Sequence, residues 1–445
     1  MTDRLPYKGA HVNKDNGETD QQRKTRPRII DVGLVDLKVL SGLGWAAVEE
    51  TNKPPSLFRH GGIPCRLERN DEGIPILRQL TPDRLRHEVA RRAVWCKGKS
   101  HAKPPMDVVR DMLATPEPPL PILTRITEIP VFAPDGTLQT EQGYHPASKT
   151  LYAPQGGFTV AAIPVNPTSE EIEKAKTLIL DELLFDFPFA GDGGRAHAVS
   201  LFLLPFVRSL ISGPTPLHLI ESPTPGSGKG LLADVLLSPA VGSRTVVMAQ
   251  AKDGDEWRKR ITAFLMKAPE VILIDNVTIP LDSGELSAAL TTGYWSDRLL
   301  GKSQMVSDIP VRCVWVTTAN NPVMSTEIAR RTIRIRLEPD SAKPWTHTDF
   351  KHQHLREWAK AHRQELVHAG LTISKAWIVS GKPHWTKSQR LGSFEEWSGT
   401  MGGILESIGI SGFLSDLDAF YEVSDIETAT LELFVQAWWE MISLE

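Results

Sequence analysis

The segment ESPTPGSGKGLLADVL, residues 221–236, decides the fold. It follows the apolar run LHLI and precedes a run with helical spacing, the setting in which a phosphate-binding loop joins a strand to a helix. Glycines let the backbone wrap an anion with its N–H groups, and the helix N-terminus adds partial positive charge. The predicted loop residues are Pro225, Gly226, Ser227, Gly228, Lys229, Gly230 and Leu231. A Gly-rich turn beside an unrelated lysine is the alternative.

This loop departs from the usual GxxxxGK[ST] pattern at two positions. Pro223 replaces the first glycine, and Gly230 replaces the Ser or Thr that normally ligates Mg²⁺. Lys229 can still reach the β- and γ-phosphates of a nucleotide. We therefore expect ATP and Mg²⁺ as cofactors, with hydrolysis weakened by the missing hydroxyl.

The run VILIDN, residues 271–276, places Asp275 at the end of an apolar strand. A carboxylate there can hold Mg²⁺ beside the phosphates. We expect Lys229 and Asp275 to lie on adjoining strand ends and to face a shared nucleotide pocket. A carboxylate that only caps a strand-to-loop turn is the alternative.

The general base is not identified by the sequence. Asn276 occupies the position of the glutamate that usually polarises the attacking water. Glu270, Asp255 and Glu256 are the remaining candidates. The departure at Asn276 again predicts slow or absent turnover.

Two further segments carry polar groups suited to phosphoryl transfer. In VWVTTANNP, residues 314–322, Thr318 or Asn320 would point at the γ-phosphate, and we favour Asn320. An Asn-Asn-Pro turn is the alternative. Arg330 and Arg331 precede the next strand, as suits an arginine finger that stabilises charge on a neighbouring subunit's phosphoryl group. A surface salt bridge is the alternative for these arginines.

Strand-like and helix-like runs alternate between about 195 and 340, which predicts a parallel sheet flanked by helices. After about 345 the pattern becomes helical. We expect a disordered leader over 1–27 and a mixed α+β region, a possible DNA-binding part, over 28–165. The ATPase core is predicted over 166–345 and a helical C-terminal lid over 346–445.

Composition limits the classes of function. The net charge of −4 and the pI near 6.4 exclude a wholly basic nucleic-acid binder, so any DNA contact must be local. The three cysteines are far apart, which argues against a zinc site or a disulfide framework and favours a reducing, cytoplasmic location. The longest apolar run, 198–207, is too short to span a bilayer, so we expect no membrane contact.

A basic segment lies in the N-terminal region. Residues 80–103 are predicted to form one amphipathic helix with a basic tail, with Leu85, Val89 and Ala93 on one face. Trp95 could stack on a base. Its cations are Arg84, Arg86, Arg91, Arg92, Lys97, Lys99 and Lys103. Capture of DNA and a solvated helix face are both open interpretations.

Over roughly residues 120–440 the chain resembles the ATPase region of phage- and plasmid-type primase–helicases of bacterial mobile elements. These are related to superfamily 3 and AAA+ ring helicases. The matching segments are DFPF at 186–189, PTPGSGKGLLAD, DEWRKR at 255–260, LIDN, WSDRLLG at 295–301, TTANNP, ARR at 329–331 and GSFEEWSGTMGGILESIGISGFL at 392–414.

The resemblance implies an AAA+-like α/β fold and a homo-hexameric ring with ATP between subunits. Lys229 would bind phosphate, Asp275 magnesium, Asn320 would be sensor 1, and Arg330 or Arg331 the finger. A hairpin over 297–310 would enter the pore.

Arg298 and Lys302 of that hairpin would contact single-stranded DNA, although a plain surface hairpin is the alternative. No primase signature is present, which favours a separate primase partner. The expected function is an ATP-dependent DNA helicase-like motor. A nucleotide-binding loader or scaffold with weak hydrolysis, and a small-molecule P-loop kinase, are the alternatives.

Overall fold

The computed structural model describes residues 27–33, 36–242, 246–298, 305–341, 343–346, 348–387, 391–424 and 439. Contacts divide the chain into two units. The first comprises Met1–Lys53 and Leu80–Pro119, and the second comprises Pro54–Gln79 and Leu120–Glu445. The expected boundaries at 165 and 345 both fall inside the second unit.

The secondary-structure elements are numbered in chain order. The strands are β1 Arg28–Asp31, β2 Leu57–His60, β3 Ile63–Arg69, β4 Pro75–Gln79, β5 Ala93–Lys97, β6 Ser100–His101, β7 Arg125–Thr127, β8 Val131–Phe132, β9 Leu138–Gln139, β10 Gly143–His145, β11 Thr150–Tyr152, β12 Leu217–Ser222, β13 Val246–Met248, β14 Val271–Val277, β15 Tyr294–Arg298, β16 Met305–Pro310, β17 Val314–Asn320 and β18 Thr332–Arg336. The helices are α1 Leu37–Thr51, α2 Pro82–Arg92, α3 Met106–Ala114, α4 Ser169–Thr177, α5 Asp192–Val207, α6 Lys229–Val241, α7 Gly254–Leu265, α8 Gly284–Thr291, α9 Thr326–Ala329, α10 Leu355–Ala361, α11 Arg363–Val379, α12 Glu395–Ser407 and α13 Leu417–Ser424.

The first unit packs helices α1, α2 and α3 together and contains the sheet β1-β5-β6. Helix α2 starts where the Thr81 hydroxyl accepts the N–H of Arg84, and Leu85 and Val89 form its buried face. The predicted helix over 80–103 is wrong beyond Arg92. There the chain becomes strand β5, because its residues pair in parallel with β1, far away in sequence.

Trp95 of β5 does not present its ring for stacking. Its side chain is 3% exposed. The indole Nε1 donates a 3.0 Å hydrogen bond to the carbonyl oxygen of Val89. The prediction of base stacking at Trp95 is therefore wrong, and the residue instead anchors β5 to helix α2.

The second unit is built on a five-stranded sheet in the order β13-β14-β17-β12-β18, with every neighbouring pair parallel. The predicted parallel sheet is confirmed. Successive residues of β17 pack into different apolar clusters, Val314 and Val316 into one and Trp315 into the other. Strands β14 and β17 begin with apolar runs because both faces of the sheet are covered.

The C-terminal helices contribute to this core. Leu366 of α11 and Trp397 of α12 belong to the same apolar cluster as Val316 of the sheet and Leu232 of α6. The helix that follows the predicted phosphate loop is thus fixed between the sheet and the C-terminal helices. Among the helices that the structure describes, none has the length and apolar character needed to cross a membrane.

Candidate functional site

The loop between β12 and α6 has a backbone suited to binding an anion. Gly226 and Gly228 have φ angles of 73° and 89°, in the left-handed region that residues with a Cβ rarely adopt. Helix α6 begins at Lys229, directly after Gly228. Pro225 is exposed, whereas Ser227 is buried. This strand, turn and helix form the setting in which free backbone N–H groups bind phosphate.

Lys229 holds the centre of a set of polar contacts beside this loop. Its ammonium donates hydrogen bonds to the Asn320 Oδ1 at 2.5 Å, the Ser227 Oγ at 3.2 Å and the Thr224 carbonyl oxygen at 3.4 Å. Partial burial lowers the pKa of Lys229. In the part of the chain that is described, no carboxylate forms an ion pair with this ammonium. Its charge is therefore available to an incoming phosphate.

Asp275 and Thr318 meet across strands β14 and β17. The Thr318 hydroxyl donates a 2.6 Å hydrogen bond to the Asp275 Oδ1 and accepts one of 2.7 Å from the N–H of Asn276. Asn276 has a φ of 53°, a conformation that asparagine adopts more readily than most other residues. The left-handed backbone at position 276 favours asparagine over glutamate, the residue that is usual there.

Asp275 lies one strand further from Lys229 than expected. Strand β17 separates β12 from β14. The prediction of adjoining strand ends is wrong, because the order of strands along the chain does not fix their lateral order in the sheet. Strand β17 instead bridges the two sites, since its Asn320 contacts Lys229 and its Thr318 contacts Asp275. We call Lys229, Asn320, Thr318 and Asp275 the polar edge.

The polar edge suits Mg²⁺ only when a phosphate is present. No cluster of three or more His, Cys, Asp or Glu within the described ranges could hold a metal. Mg²⁺ commonly takes one or two carboxylates together with waters and substrate phosphates, and Asp275 supplies one carboxylate. A Cβ built on Gly230 would meet no atom within 4 Å. The space next to the first turn of α6 is therefore open where a Ser or Thr hydroxyl is usual.

A cavity of about 430 Å³ adjoins the loop. Its lining includes Gly228 and Leu231 beside α6, Phe187 from the DFPF segment, and Phe350 and His352 from the chain preceding α10. A mostly apolar cavity with aromatic walls next to an anion-binding loop fits a flat heterocyclic base. The sequence analysis did not identify Phe350 and His352 as cavity residues. Its one signal for the cavity was the DFPF segment, which contains Phe187.

Arg330 and Arg331 lie at the opposite edge of the sheet. They precede β18, which runs parallel to β12, so the length of β18 separates them from the polar edge. Both guanidinium groups pair with Glu327, and the Arg330 and Arg331 side chains are 55% and 15% exposed. Action within the same nucleotide site is excluded by this position. Action on a neighbouring subunit stays a prediction, and Arg330 is the more accessible of the two.

Of the three carboxylates considered as general base, only Glu270 is placed away from the polar edge, and Asp255 and Glu256 stay predictions. Glu270 precedes β14, at the amino edge of the sheet, and is buried against Arg125 at 3.6 Å, so its prediction as the base is wrong. Asp255 and Glu256 lie in the first turn of α7. Glu256 pairs there with Lys259 at 3.0 Å.

The carboxyl edge of the sheet carries another acidic residue. Glu221 of β12 is buried there, and Arg336 of β18 pairs with it at 2.9 Å. Arg334 approaches the same Glu221 Oε1 at 3.8 Å, so two guanidinium groups occupy this carboxylate. Glu221 therefore does not replace the missing glutamate as a general base.

The hairpin β15–β16 is fixed at its base. The Thr262 hydroxyl accepts a 2.8 Å hydrogen bond from the Trp295 Nε1 and donates one of 2.9 Å to the Asp297 Oδ2. Strand β15 ends at Arg298, which pairs with Met305. Lys302, predicted to grip DNA, lies outside the described residues, as does the side chain of Arg298. The predicted DNA contacts therefore stay predictions.

No protein-family model matches the chain, and no curated protein matches it. Its fold is remotely similar to several solved structures. The C-terminal region of NrS-1 is 10% identical, with 79% of this chain and 72% of that chain covered and a TM-score of 0.35. SCCmec type IV Cch, described as an active helicase, is 13% identical with 83% and 72% covered and a TM-score of 0.35. The JCV helicase is 14% identical with 56% and 72% covered and a TM-score of 0.24.

Proposed function

We propose that the chain is an ATP-driven motor that acts on single-stranded DNA, in the manner of a helicase. The observation that carries this proposal is the polar edge, in which the Lys229 ammonium meets Asn320 beside a loop suited to binding an anion and a cavity of about 430 Å³. ATP would place its base in the cavity that Phe187 and Phe350 help to line, and its phosphates at the loop. Mg²⁺ bound with ATP would neutralise phosphate charge beside Asp275.

The residues of the chain then have separate tasks. Lys229 exchanges its contact with Asn320 for one with a phosphate oxygen. Asn320, once released, is free to orient the attacking water, while Thr318 keeps the Asp275 carboxylate in place. Preorganised dipoles and charges of this kind stabilise the transferred phosphoryl group without covalent chemistry.

Assembly completes the proposed site. The arginines that precede β18 lie too far from the polar edge to act in their own subunit, so Arg330 would act on the nucleotide of a neighbour in a homo-hexameric ring. The resemblance to mobile-element primase–helicases supports the ring and the DNA substrate. Size measurement by mass photometry, with ATP and DNA present, tests the assembly.

The decisive experiment is ATP turnover with and without single-stranded DNA. Wild-type protein is expected to hydrolyse ATP faster when DNA is added. The Lys229→Ala variant is expected to lose turnover, whereas Lys174→Ala, which removes an exposed helical lysine, is expected to keep it. A folded ring whose turnover ignores DNA would contradict the motor.

A nucleotide-binding loader is the second candidate function. It is favoured by one specific observation, the absence of both a hydroxyl at Gly230 and a glutamate at Asn276. Such a protein would bind ATP tightly and change conformation with little hydrolysis. Micromolar ATP binding with negligible turnover and no strand separation would favour the loader over the motor.

A further inference from the structure

The first unit carries a hairpin formed by β5 and β6, with Gly98 and Lys99 at its turn. No carboxylate occurs between Glu88 and Asp107 in the sequence. Lys97, Lys99 and Lys103 lie within this interval and are all exposed. We call residues 96–103 the lysine hairpin.

The tip of the lysine hairpin is held in place. Gly98 has a φ of 59°, and its N–H donates a 3.1 Å hydrogen bond to the Asp31 Oδ1. The same oxygen accepts the N–H of Gly33 at 2.9 Å. The one carboxylate at the tip is therefore held by backbone N–H groups, and its single negative charge offsets only part of the charge of the three lysines.

The base of the hairpin is equally fixed. The Ala102 N–H donates a 2.9 Å hydrogen bond to the carbonyl oxygen of Trp95, whose buried ring anchors β5. Because the backbone is already ordered, binding a partner costs little backbone entropy, and the ordering cost falls on the lysine side chains.

Two arginines of the same unit are paired with carboxylates, unlike the lysines of the hairpin. Arg92 pairs with Glu88 at 3.2 Å, and Arg28 pairs with Glu50. For Lys97, Lys99 and Lys103, by contrast, no ion pair is found among the residues that the structure describes. The lysine hairpin is thus a local excess of positive charge, three lysines beside one carboxylate, in a chain whose net charge is −4.

We propose that the lysine hairpin binds the phosphodiester backbone of single-stranded DNA. This binding does not require ATP and does not depend on the base sequence. Lysines contribute point charges that bind phosphates. Trp95, the one Phe, Tyr or Trp residue of strands β5 and β6, is buried and cannot stack on a base, and the other ring of these strands is the exposed imidazole of His101. That the polymer is single-stranded DNA rests on the proposed function. The binding site itself lies in a unit that the nucleotide site does not use.

The test is the fluorescence anisotropy of a labelled oligothymidine strand with the full-length protein, without nucleotide, over a range of salt concentrations. The double variant Lys97→Ala/Lys99→Ala removes two contacts. Its slope of log affinity against log salt is expected to be shallower by about 1.4, with affinity about 25-fold lower at 0.1 M salt. The variant Lys97→Arg/Lys99→Arg is expected to keep wild-type binding, because it keeps both charges.

The matched control is Lys38→Ala/Lys53→Ala, which removes two exposed lysines of the same unit outside the hairpin. It is expected to bind as the wild type does. Oligoadenosine is expected to bind as oligothymidine does. Equal losses of DNA affinity in the two alanine double variants would overturn the proposal. Tighter binding of RNA or duplex DNA than of single-stranded DNA would also overturn it.

The two proposals fail in distinguishable ways. If Lys97→Ala/Lys99→Ala binds as tightly as the wild type while DNA still stimulates turnover, the hairpin proposal is overturned and the motor stands. If DNA binds through the hairpin but leaves turnover unchanged, the hairpin stands and the motor is contradicted.

Discussion

Lys229 and Asn320 are joined by a 2.5 Å hydrogen bond between the lysine ammonium and the asparagine side-chain oxygen. The bond links the start of helix α6 to the end of strand β17. Under the proposed function, a phosphate oxygen would compete with this amide oxygen for the ammonium of Lys229. Nucleotide binding and release of Asn320 are therefore expected to be a single event.

Replacement of Asn320 by alanine is expected to separate chemistry from binding. The kcat for ATP should fall about 100-fold, the usual effect of removing one preorganised polar group from a transition state. The dissociation constant for ATP, measured by calorimetry, should change little because Lys229 remains. Asn321→Gly, which preserves the left-handed backbone at the next residue, serves as control. Similar losses of kcat in both variants would contradict the role of Asn320.

Replacement of Gly230 by serine is expected to strengthen the metal site. There is room for the side chain, and its hydroxyl can join the Mg²⁺ coordination as in the usual loop. The Mg²⁺ concentration for half-maximal turnover should fall about tenfold, the equivalent of about 1.4 kcal/mol.

Gly228→Ser is the matched comparison for this prediction. It places the same side chain at a φ of 89°, where a Cβ costs roughly 1–2 kcal/mol. We expect lower thermal stability and weaker ATP binding for this variant. If Gly230→Ser leaves the Mg²⁺ dependence unchanged, the open space at Gly230 is not part of the metal site.

The affinity for ATP is expected to fall at alkaline pH. Burial lowers the pKa of Lys229 below its ordinary 10.5. Its ammonium, which would bind phosphate, therefore loses its proton at a lower pH than a free lysine does. Between the two pKa values the folded chain holds fewer protons than the unfolded chain, so this group alone makes stability rise with pH there.

Calorimetric titration with a non-hydrolysable ATP analogue between pH 7 and 10 measures the effect. Lys229→Arg should remove the alkaline fall in affinity, because a guanidinium stays charged. An identical pH profile for the two proteins would assign the fall to another group.

Arg330 is expected to act across a subunit boundary. Arg330→Ala should lower kcat about 1000-fold, as loss of an arginine finger does. A mixture of Lys229→Ala and Arg330→Ala chains should recover activity, because about a quarter of the interfaces in a random ring combine an intact lysine with a neighbour's intact arginine. A mixture of Lys229→Ala with the double variant Lys229→Ala/Arg330→Ala should recover none. If intact rings of Lys229→Ala and Arg330→Ala chains recover no ATP turnover, Arg330 does not act across the subunit boundary and is only a surface residue paired with Glu327.

The two buried thiols are expected to be unreactive in the folded protein. Burial raises the pKa of Cys65 and of Cys313 to about 12, so neither is appreciably a thiolate at pH 8. Cys96 is partly exposed. Titration with a chromogenic disulfide at pH 8 should show one fast thiol, and Cys96→Ser should abolish that phase. Rapid reaction of all three thiols would show that the core opens readily.

Sequence reasoning found the strands and the polar residues at their ends, because apolar runs closed by glycine or asparagine turns are local signals. It placed Asn320 near the phosphate loop by the rule that parallel strands share a carboxyl edge. The same rule argues against Glu270, which precedes its strand. The lateral position of β17 between β12 and β14 could not be predicted, because it depends on crossovers rather than on spacing.

The base-sized cavity was missed for a related reason. Phe187 and Phe350 are far apart in the sequence. Both line the same cavity because the chain before α10 packs near the loop. Trp95 was placed on the surface because its segment continues a helical pattern. Pairing with β1, which no local pattern reveals, turns that ring inwards.

The single hydroxyl of Thr318 supports both the Asp275 carboxylate and the bend at Asn276. One substitution at Thr318 therefore affects both features. Thr318→Ser could keep the hydrogen bonds to Asp275 and to the N–H of Asn276, whereas Thr318→Val, equal in shape but without a hydroxyl, would lose both. Variation at this position among natural relatives should be limited to these two hydroxyl residues, and a change of metal preference should come with a change in the path of the chain behind it.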